Sequence, residues 1–369
     1  MMPVKEPKKS MISIIVPIHN SSHMLNSCLS ALKNLKDKNH EIVLVDDGST
    51  DNSLTICREF NFNVLALQHN KGQAVARNKG VEQSKGDIIA FIDSDVIVPT
   101  NWLEKYRELL FTHIDTDMIC SGYGWSVEDA LPAKFAFHEC AYRRQNLPLY
   151  ITSSISSNCV IYRDAFEDIG GFPEYYLNDN RDNTNTKAVA INEDAELGFL
   201  LARNGRKIIW SNNNPVGHYF RKSWREYLNQ QFGFSRYAML SVFKFPKMLF
   251  NEDIYSQEKM IPQILIISTM LLATSGLFFG TIGIIATIAL EIGGLLFFYY
   301  YLYDFLRFLK SNHNNYVFHQ IFFFIIVTRF IWFGGVVIGI NDGFSMLRNN
   351  YFLKAVVKLK SRYIKTRRK

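Results

Sequence analysis

Asp93 and Asp95 stand one residue apart, directly after the apolar run Ile88-Ile89-Ala90-Phe91-Ile92. Carboxylates at that spacing can reach one oxygen-preferring cation, and Mg²⁺ or Mn²⁺ suits such hard ligands. A nucleotide diphosphate brings its own oxygens to complete the shell, and the cation neutralises charge growing on a departing diphosphate. A solvated acidic turn has the same sequence, so the pair needs its neighbours. Asp46 and Asp47 open a turn, Asp46-Asp47-Gly48-Ser49, after another apolar run. A carboxylate there can accept from a base N–H or ribose hydroxyls, while Ser49 or Asp51 can cap a helix. Arg77 lies in Gly72-Gln73-Ala74-Val75-Ala76-Arg77-Asn78-Lys79-Gly80; its permanent charge suits a phosphate or an open surface. Glu193-Asp194 falls at a helix start, where the dipole keeps a carboxylate ionised as a cap or as a proton acceptor for an attacking hydroxyl. His218 to Tyr237 mixes cations with aromatics. Such a strip can hold a diphosphate and stack a sugar, or rest on lipid.

The elements that must position these groups follow from periodicity. Ser13 to Ile18 (closing on Pro17 and Ile18), Glu41 to Val45, Val64 to Leu67 and Asp87 to Ile92 read as buried strands. Helical spacing covers 23–35, 51–60 and 72–84, between those strands. Alternation of this kind predicts an α/β fold with a mostly parallel sheet covered on both faces. Ligands bind such sheets beyond the C-terminal strand ends, where Asp46, Asp47, Asp93 and Asp95 fall. After this region the pattern is less regular. Residues 178–192 are rich in Asn and Asp and read as a flexible loop; Asn192-Glu193-Asp194 then opens a helix closed by Asn204-Gly205.

Hydrophobicity is unevenly spread. Residues 262–303 carry one charge, Glu291, and 317–341 are nearly as apolar. Since about 20 apolar residues cross a bilayer, the first run predicts a transmembrane hairpin turning near Gly276 to Gly283. The second carries Arg329 and predicts a third membrane or interfacial segment. Nine Lys or Arg fall between Arg348 and Lys369. A basic tail beside apolar segments marks the anionic cytoplasmic leaflet, which accounts for the net charge of +7 without nucleic acid. The organisation expected is a catalytic domain over 1–237, an amphipathic interfacial linker over 238–261, the hairpin over 262–303, the third segment over 317–341 and a basic cytoplasmic tail over 342–369. Five scattered cysteines without C-x-x-C spacing exclude a zinc site or dense disulfide framework and suit a reducing compartment. No signal-peptide pattern is read in the first residues, which predicts a catalytic domain held in the cytoplasm at the cell membrane.

The order of motifs resembles the family 2 inverting glycosyltransferases. It rests on Ser13 to Asn20, Asp46-Asp47-Gly48-Ser49, Gly72 to Gly80, Gly86-Asp87 leading to Asp93-Ser94-Asp95, Gly170-Gly171-Phe172, and Glu193-Asp194-Ala195-Glu196-Leu197-Gly198. The resemblance covers about residues 10–237. It implies the GT-A nucleotide-sugar-binding, Rossmann-like fold and inverting transfer from a UDP- or GDP-sugar with Mg²⁺ or Mn²⁺. Pro17, Asp46, Asp47, Arg77 and Asp93 would then serve the donor, Asp93 and Asp95 the metal, and Asp194 would be the base. Glu193, His218, Gln231 and Arg236 would lie in the acceptor and diphosphate region. Gln230 to Tyr237 is similar to a segment of exopolysaccharide members of the succinoglycan type and departs from the Gln-x-x-Arg-Trp pattern of processive synthases. The membrane region implies a lipid-linked or glycan acceptor, with membrane lipids as partners. Alternatives are a polyprenyl-phosphate glycosyl transferase and an inactive nucleotide-sugar-binding membrane adaptor. A nucleotidyltransferase would need a Gly-rich loop after the first strand, where this chain has His19-Asn20-Ser21-Ser22.

Overall fold

A computed structural model of the chain describes residues 6–7, 9–174, 176–178, 186–188, 192–245, 269–270, 280–312 and 318–348. Four β-strands, β1 (Ile12–Ile18), β2 (His40–Asp46), β3 (Asn63–Ala66) and β4 (Ile88–Ile92), pair in parallel in the order β3-β2-β1-β4. Helices α1 (Ser22–Lys33), α2 (Ser53–Glu59) and α3 (Gln73–Gln83) connect them. β1 and β4 are buried along their whole length, which is why they read as continuous apolar runs rather than alternating ones.

The second half extends this sheet with antiparallel neighbours, which the sequence left as irregular. Short β5 (Val96–Ile97) and helix α4 (Trp102–Thr112) lead to β6 (Met118–Ser126) and α5 (Leu131–Arg144). β7 (Tyr150–Ile151), β8 (Asn158–Tyr162) and α6 (Arg163–Asp168) follow. The sheet order is β3-β2-β1-β4-β8-β6, then β11 (Ile208–His218), then β5, with β7 also on β11. β8 runs antiparallel to both β4 and β6. β9 (Tyr176–Asn178), ending where the expected 178–192 loop begins, pairs with β10 (Thr186–Ala188) inside that loop as a two-stranded antiparallel ribbon. Helix α7 (Glu193–Arg203) then returns the chain to the sheet. All five cysteines are free thiols.

Helix α8 (Trp224–Lys244) starts at a capping box: Ser223 Oγ accepts from Glu226 N while Glu226 returns a bond to Ser223 N. It runs through residue 237, where the sequence reading ends the catalytic domain. Two long helices close the described chain, α9 (Gly280–Asn312) and α10 (Phe318–Arg348). Gly335, Gly339 and Gly343 bring α10 against α8: an added Cβ would meet Ser235, Arg236 and Phe243 respectively. A second apolar core joins α5, α8 and α9 through Phe135, Tyr227, Phe305, Leu306 and Leu309. Among the described residues no helix is long and apolar enough to cross a membrane. The expected hairpin lies partly outside the described residues, at 262–268 and 271–279. Its C-terminal part is one helix that continues past residue 303 to Asn312. Most of the linker (246–261) and of the basic tail (349–369) lies outside them too.

Candidate active site

The acidic clusters meet at the C-terminal end of the parallel strands. Asp46 ends β2, and Gly48 follows with φ +67°, a conformation that favours glycine. Space demands the same residue, because a Cβ there would lie 2.6 Å from the His69 carbonyl carbon. The close approach lets the Asp47 carboxylate accept from Lys71 N at 2.7 Å and Gly72 N at 2.8 Å. Burial pushes the Asp47 carboxyl up, partly offset by those two N–H groups. Its acceptor capacity therefore closes the 69–72 loop onto the sheet. Asp46 differs: Oδ2 accepts from Ser49 N at 3.3 Å, whereas Oδ1 is buried with no hydrogen-bond partner among the described residues. Pro17, opposite Val45 in the β1–β2 register, is buried one residue from the strand end. The loop after β1 is stitched to this turn by Asn20 Oδ1, which accepts from Thr50 N at 2.8 Å, and to the turn after β4 by Ser21 Oγ, which meets Ser94 Oγ at 2.8 Å.

Arg77 does not face an open phosphate site. It is 1% exposed, and its guanidinium is surrounded by carboxylates. Nη2 donates to Asp93 Oδ1 at 2.7 Å, Nη1 donates to Glu193 Oε1 at 3.1 Å, and Asp194 Oδ1 lies 3.7 Å away. The Phe172 ring lies 5.3 Å from the guanidinium carbon. Asn78 holds that ring in place by bonding both the N–H and the C=O of Phe172. Burial overturns the open-surface expectation for Arg77, and carboxylates occupy the guanidinium expected to serve a phosphate: a helix facing the sheet places it inside, where it joins β4 to α7. Burial also pushes the Asp93 and Glu193 carboxyls up, Arg77 opposing the rise in both.

Asp95 points the other way. The antiparallel β5–β11 pairing sets His218 beside Val96 and brings Tyr219 N to Asp95 O at 2.9 Å. His218 Nε2 then lies 3.4 Å from Asp95 Oδ2. Burial opposes ionisation of Asp95, but His218 and Arg221 outweigh it and hold the carboxyl below its ordinary value. Asp95 Oδ1 and His218 Nδ1 are buried and have no hydrogen-bond partner among the described residues. Among the described residues no three His, Cys, Asp or Glu side chains cluster as a metal site.

Asp194 sits in the first turn of α7, with its side chain 35% exposed. Ser156 orients it, donating from Oγ to Oδ1 at 2.7 Å and from N to Oδ2 at 3.4 Å. Gly198 permits this: a Cβ there would lie 2.3 Å from Ser154 N, so only glycine lets α7 approach the 153–156 loop. Ser154 Oγ also donates to Asp194 O. Neither serine is marked in the sequence, since Ser154 and Ser156 belong to an unremarkable Ser-rich loop and reach Asp194 across 40 and 38 residues.

Two expected site residues lie elsewhere. Gln231 accepts from Trp332 Nε1 at 2.9 Å, and Arg236 Nε donates to Asp342 Oδ2 at 2.5 Å. Both hold α8 to α10. The glycine face of α10 packs on that side of α8, so these polar groups serve helix packing rather than a diphosphate.

Residues 13–170 match the family model Glycosyl transferase family 2. Over these residues the chain is similar to the family 2 glycosyltransferases. Glycosyltransferase AglE of Haloferax volcanii is 29% identical over 180 residues, covering 45% of this chain and 57% of that protein. Glycosyltransferase GlyG of Streptococcus pneumoniae is 37% identical over 118 residues, covering 31% of this chain and 39% of its own length. The match therefore spans only part of each relative. Among solved structures, mannosyltransferase PcManGT from Pyrobaculum calidifontis, in complex with GDP-Man and Mn²⁺, shares the fold. The TM-score is 0.55 at 14% identity, over 91% of this chain and 89% of that one.

Proposed function

We propose that the protein transfers a sugar from a UDP- or GDP-sugar to a hydroxyl, with inversion at the anomeric carbon, at the cytoplasmic face of a membrane. The observation that carries this reading is the Asp93–Arg77–Asp194 bridge. One buried guanidinium ties the end of β4, where a donor diphosphate would lie, to the start of α7, where a base stands. Asp194 is partly exposed, fixed by Ser156 and placed at a helix N-terminus, an orientation from which it can accept a proton from an attacking hydroxyl. Asp46 Oδ1, a buried acceptor without a hydrogen-bond partner, suits a donor nucleoside N–H or hydroxyl. Glu193 positions Arg77 and is not itself offered to substrate.

A Mg²⁺ or Mn²⁺ fits the chemistry of Asp95, whose buried Oδ1 has no hydrogen-bond partner and whose neighbour His218 adds a nitrogen donor. Two protein donors leave most of a coordination shell to donor phosphates and water, as suits these ions. When bound, the cation would neutralise charge on the leaving diphosphate. Asp93, held by Arg77, is a poorer ligand than Asp95.

Membrane association is supported by α9. Ile282 is 83% exposed and Tyr300 77%, and Ile285, Ile288, Ile292 and Leu296 are exposed between them. Apolar surface on that scale marks a contact with protein or lipid, and tyrosines at one end of an apolar stretch suit the headgroup layer. A lipid-linked or glycan acceptor follows from that location.

The test is nucleotide diphosphate release by detergent-solubilised protein across UDP- and GDP-sugars with Mg²⁺ or Mn²⁺, with and without lipid extract, beside Asp95→Ala and Asp194→Asn. Release from one donor that needs metal, rises with lipid and is lost in both variants is the expected result. Release retained by both variants, or none from any donor, sinks the proposal.

A further inference from the structure

A pocket of about 210 Å³ opens between β6, the end of α5 and β11, with Tyr123, Arg144, Gln145, Trp210 and Asn212 among its walls. It lies one aromatic ring from the candidate active site. The Tyr123 ring sits 4.4 Å from the His218 ring, on the same imidazole that faces Asp95. Tyr123 Oη also meets Ser157 Oγ at 2.7 Å, next to the Ser156 that orients Asp194.

Among the described residues the cation in this pocket has no carboxylate beside it. The Arg144 guanidinium lies over the Tyr123 ring at 5.2 Å and the Trp210 ring at 5.9 Å. Its Nη1 is buried without a hydrogen-bond partner, and among the described residues no carboxylate pairs with it. Ring faces compensate a desolvated cation only in part. They do hold the planar fork in one orientation, and that fork matches a carboxylate or phosphate. Asn212 Oδ1 accepts from Trp210 Nε1 at 3.0 Å, which fixes the amide and leaves its NH₂ for a ligand hydroxyl. The volume of about 210 Å³ has room for a single sugar unit.

We infer that this pocket takes the acceptor by an acidic sugar, with the oxyanion held by Arg144. The inference rests on the transferase reading for the word acceptor; the oxyanion site stands on its own geometry. Because the Tyr123 wall links the pocket to both His218 and the Asp194 support, an acidic group seated there would fix the ring bearing the attacking hydroxyl.

The test titrates the full chain in detergent with methyl glucuronoside, glucose 6-phosphate, methyl glucoside, UDP and GDP, using wild type, Arg144→Gln and Arg144→Lys. An acidic probe is expected to bind about ten- to a hundredfold more tightly than methyl glucoside, the size of a charge-assisted hydrogen bond. Arg144→Gln should abolish that preference, Arg144→Lys should keep part of it, and nucleotide binding should not change. Preference for the glucuronoside or for the phosphate identifies which oxyanion the site takes. Equal binding of acidic and neutral probes by wild type overturns the inference even if Arg144→Gln fails to fold. So does a preference that survives Arg144→Gln, or displacement of the acidic probe by UDP or GDP. An Arg144-dependent preference without nucleotide release from any donor would support the oxyanion site and overturn the transferase reading instead.

Discussion

Asp194 and Arg77 do different work, and substitution separates them. Asp194→Asn keeps the shape and the Ser156 contact but cannot take a proton. Its turnover should fall about 10²–10⁴-fold, the usual worth of a general base, with nucleotide affinity and unfolding temperature near wild type. Arg77→Met should instead damage the fold. It leaves Asp93 and Glu193 without the cation between them, and breaking a buried pair costs about 3–5 kcal/mol. A steep drop in the unfolding midpoint, before any assay of activity, is the expected sign; an unchanged midpoint would mean that Arg77 is not the structural hub its contacts describe. Asp93 and Asp95 were indistinguishable by type and spacing. They separate only because Arg77 lies under one and His218 beside the other.

At the scale of elements, the decisive feature is how α7 is seated. Gly198 lets it touch the 153–156 loop, and Glu196 accepts from Ser241 Oγ at 2.8 Å and Lys244 Nζ at 2.9 Å, tying it to α8. Gly198→Val should push α7 outward. Overpacking of this kind costs about 1–3 kcal/mol, and activity should fall further than stability alone explains because Asp194 moves away from Ser156. Comparing turnover with donor affinity checks this: donor affinity should hold while turnover drops. A second element-level clamp lies at the far edge. Arg107 donates to Asp37 and to the carbonyls of Pro7, Ser10 and Asn39, anchoring α4 to the chain start. Burial opposes ionisation of Asp37, but Arg107 outweighs it and holds the carboxyl below its ordinary 3.8. The stabilisation is thus present above pH 4 or so and lost as pH falls through the lowered value. Asp37→Asn should cost about 2 kcal/mol at neutral pH, the size of a charge-assisted hydrogen bond. Unfolding midpoints of the two proteins should converge on acidification; a constant gap down to pH 3 would refute the assignment.

For the whole molecule, α8, α9 and α10 form a platform behind α5. Glu139 of α5 accepts from Tyr227 of α8 at 2.6 Å and lies 3.8 Å from Arg329 of α10, so the platform carries its own buried charges. Arg329 explains itself here: a charge that made 317–341 an ambiguous membrane segment has a carboxylate neighbour on α5. The platform's outer surface is the exposed face of α9. Replacing Ile285 and Leu296 with Glu should weaken flotation with anionic liposomes while leaving the catalytic domain folded. Flotation equal to wild type would remove the α9 face from the membrane-binding surface.

The sequence by itself determined the parallel half of the sheet and the acidic turns at its strand ends. There the signals are local: buried strands are continuous apolar runs, helices carry a 3.6-residue period, and a strand end dictates where Asp46, Asp93 and Asp95 emerge. The order of those turns, together with the motifs up to Gly198, carried the resemblance to family 2 glycosyltransferases over about residues 10–237. The antiparallel half was less legible, because β6 alternates poorly and β5 and β7 have two residues each. Tertiary structure alone decided the partners. Pairing of β5 with β11 put His218 on Asp95, close approach at Gly198 put Ser156 on Asp194, burial of α3 turned Arg77 from a surface cation into an internal bridge, and the glycine face of α10 drew Gln231 and Arg236 away from the site. Each is a contact between groups distant in the chain, and neither residue type nor spacing records which distant side chain will fill the space beside a buried charge.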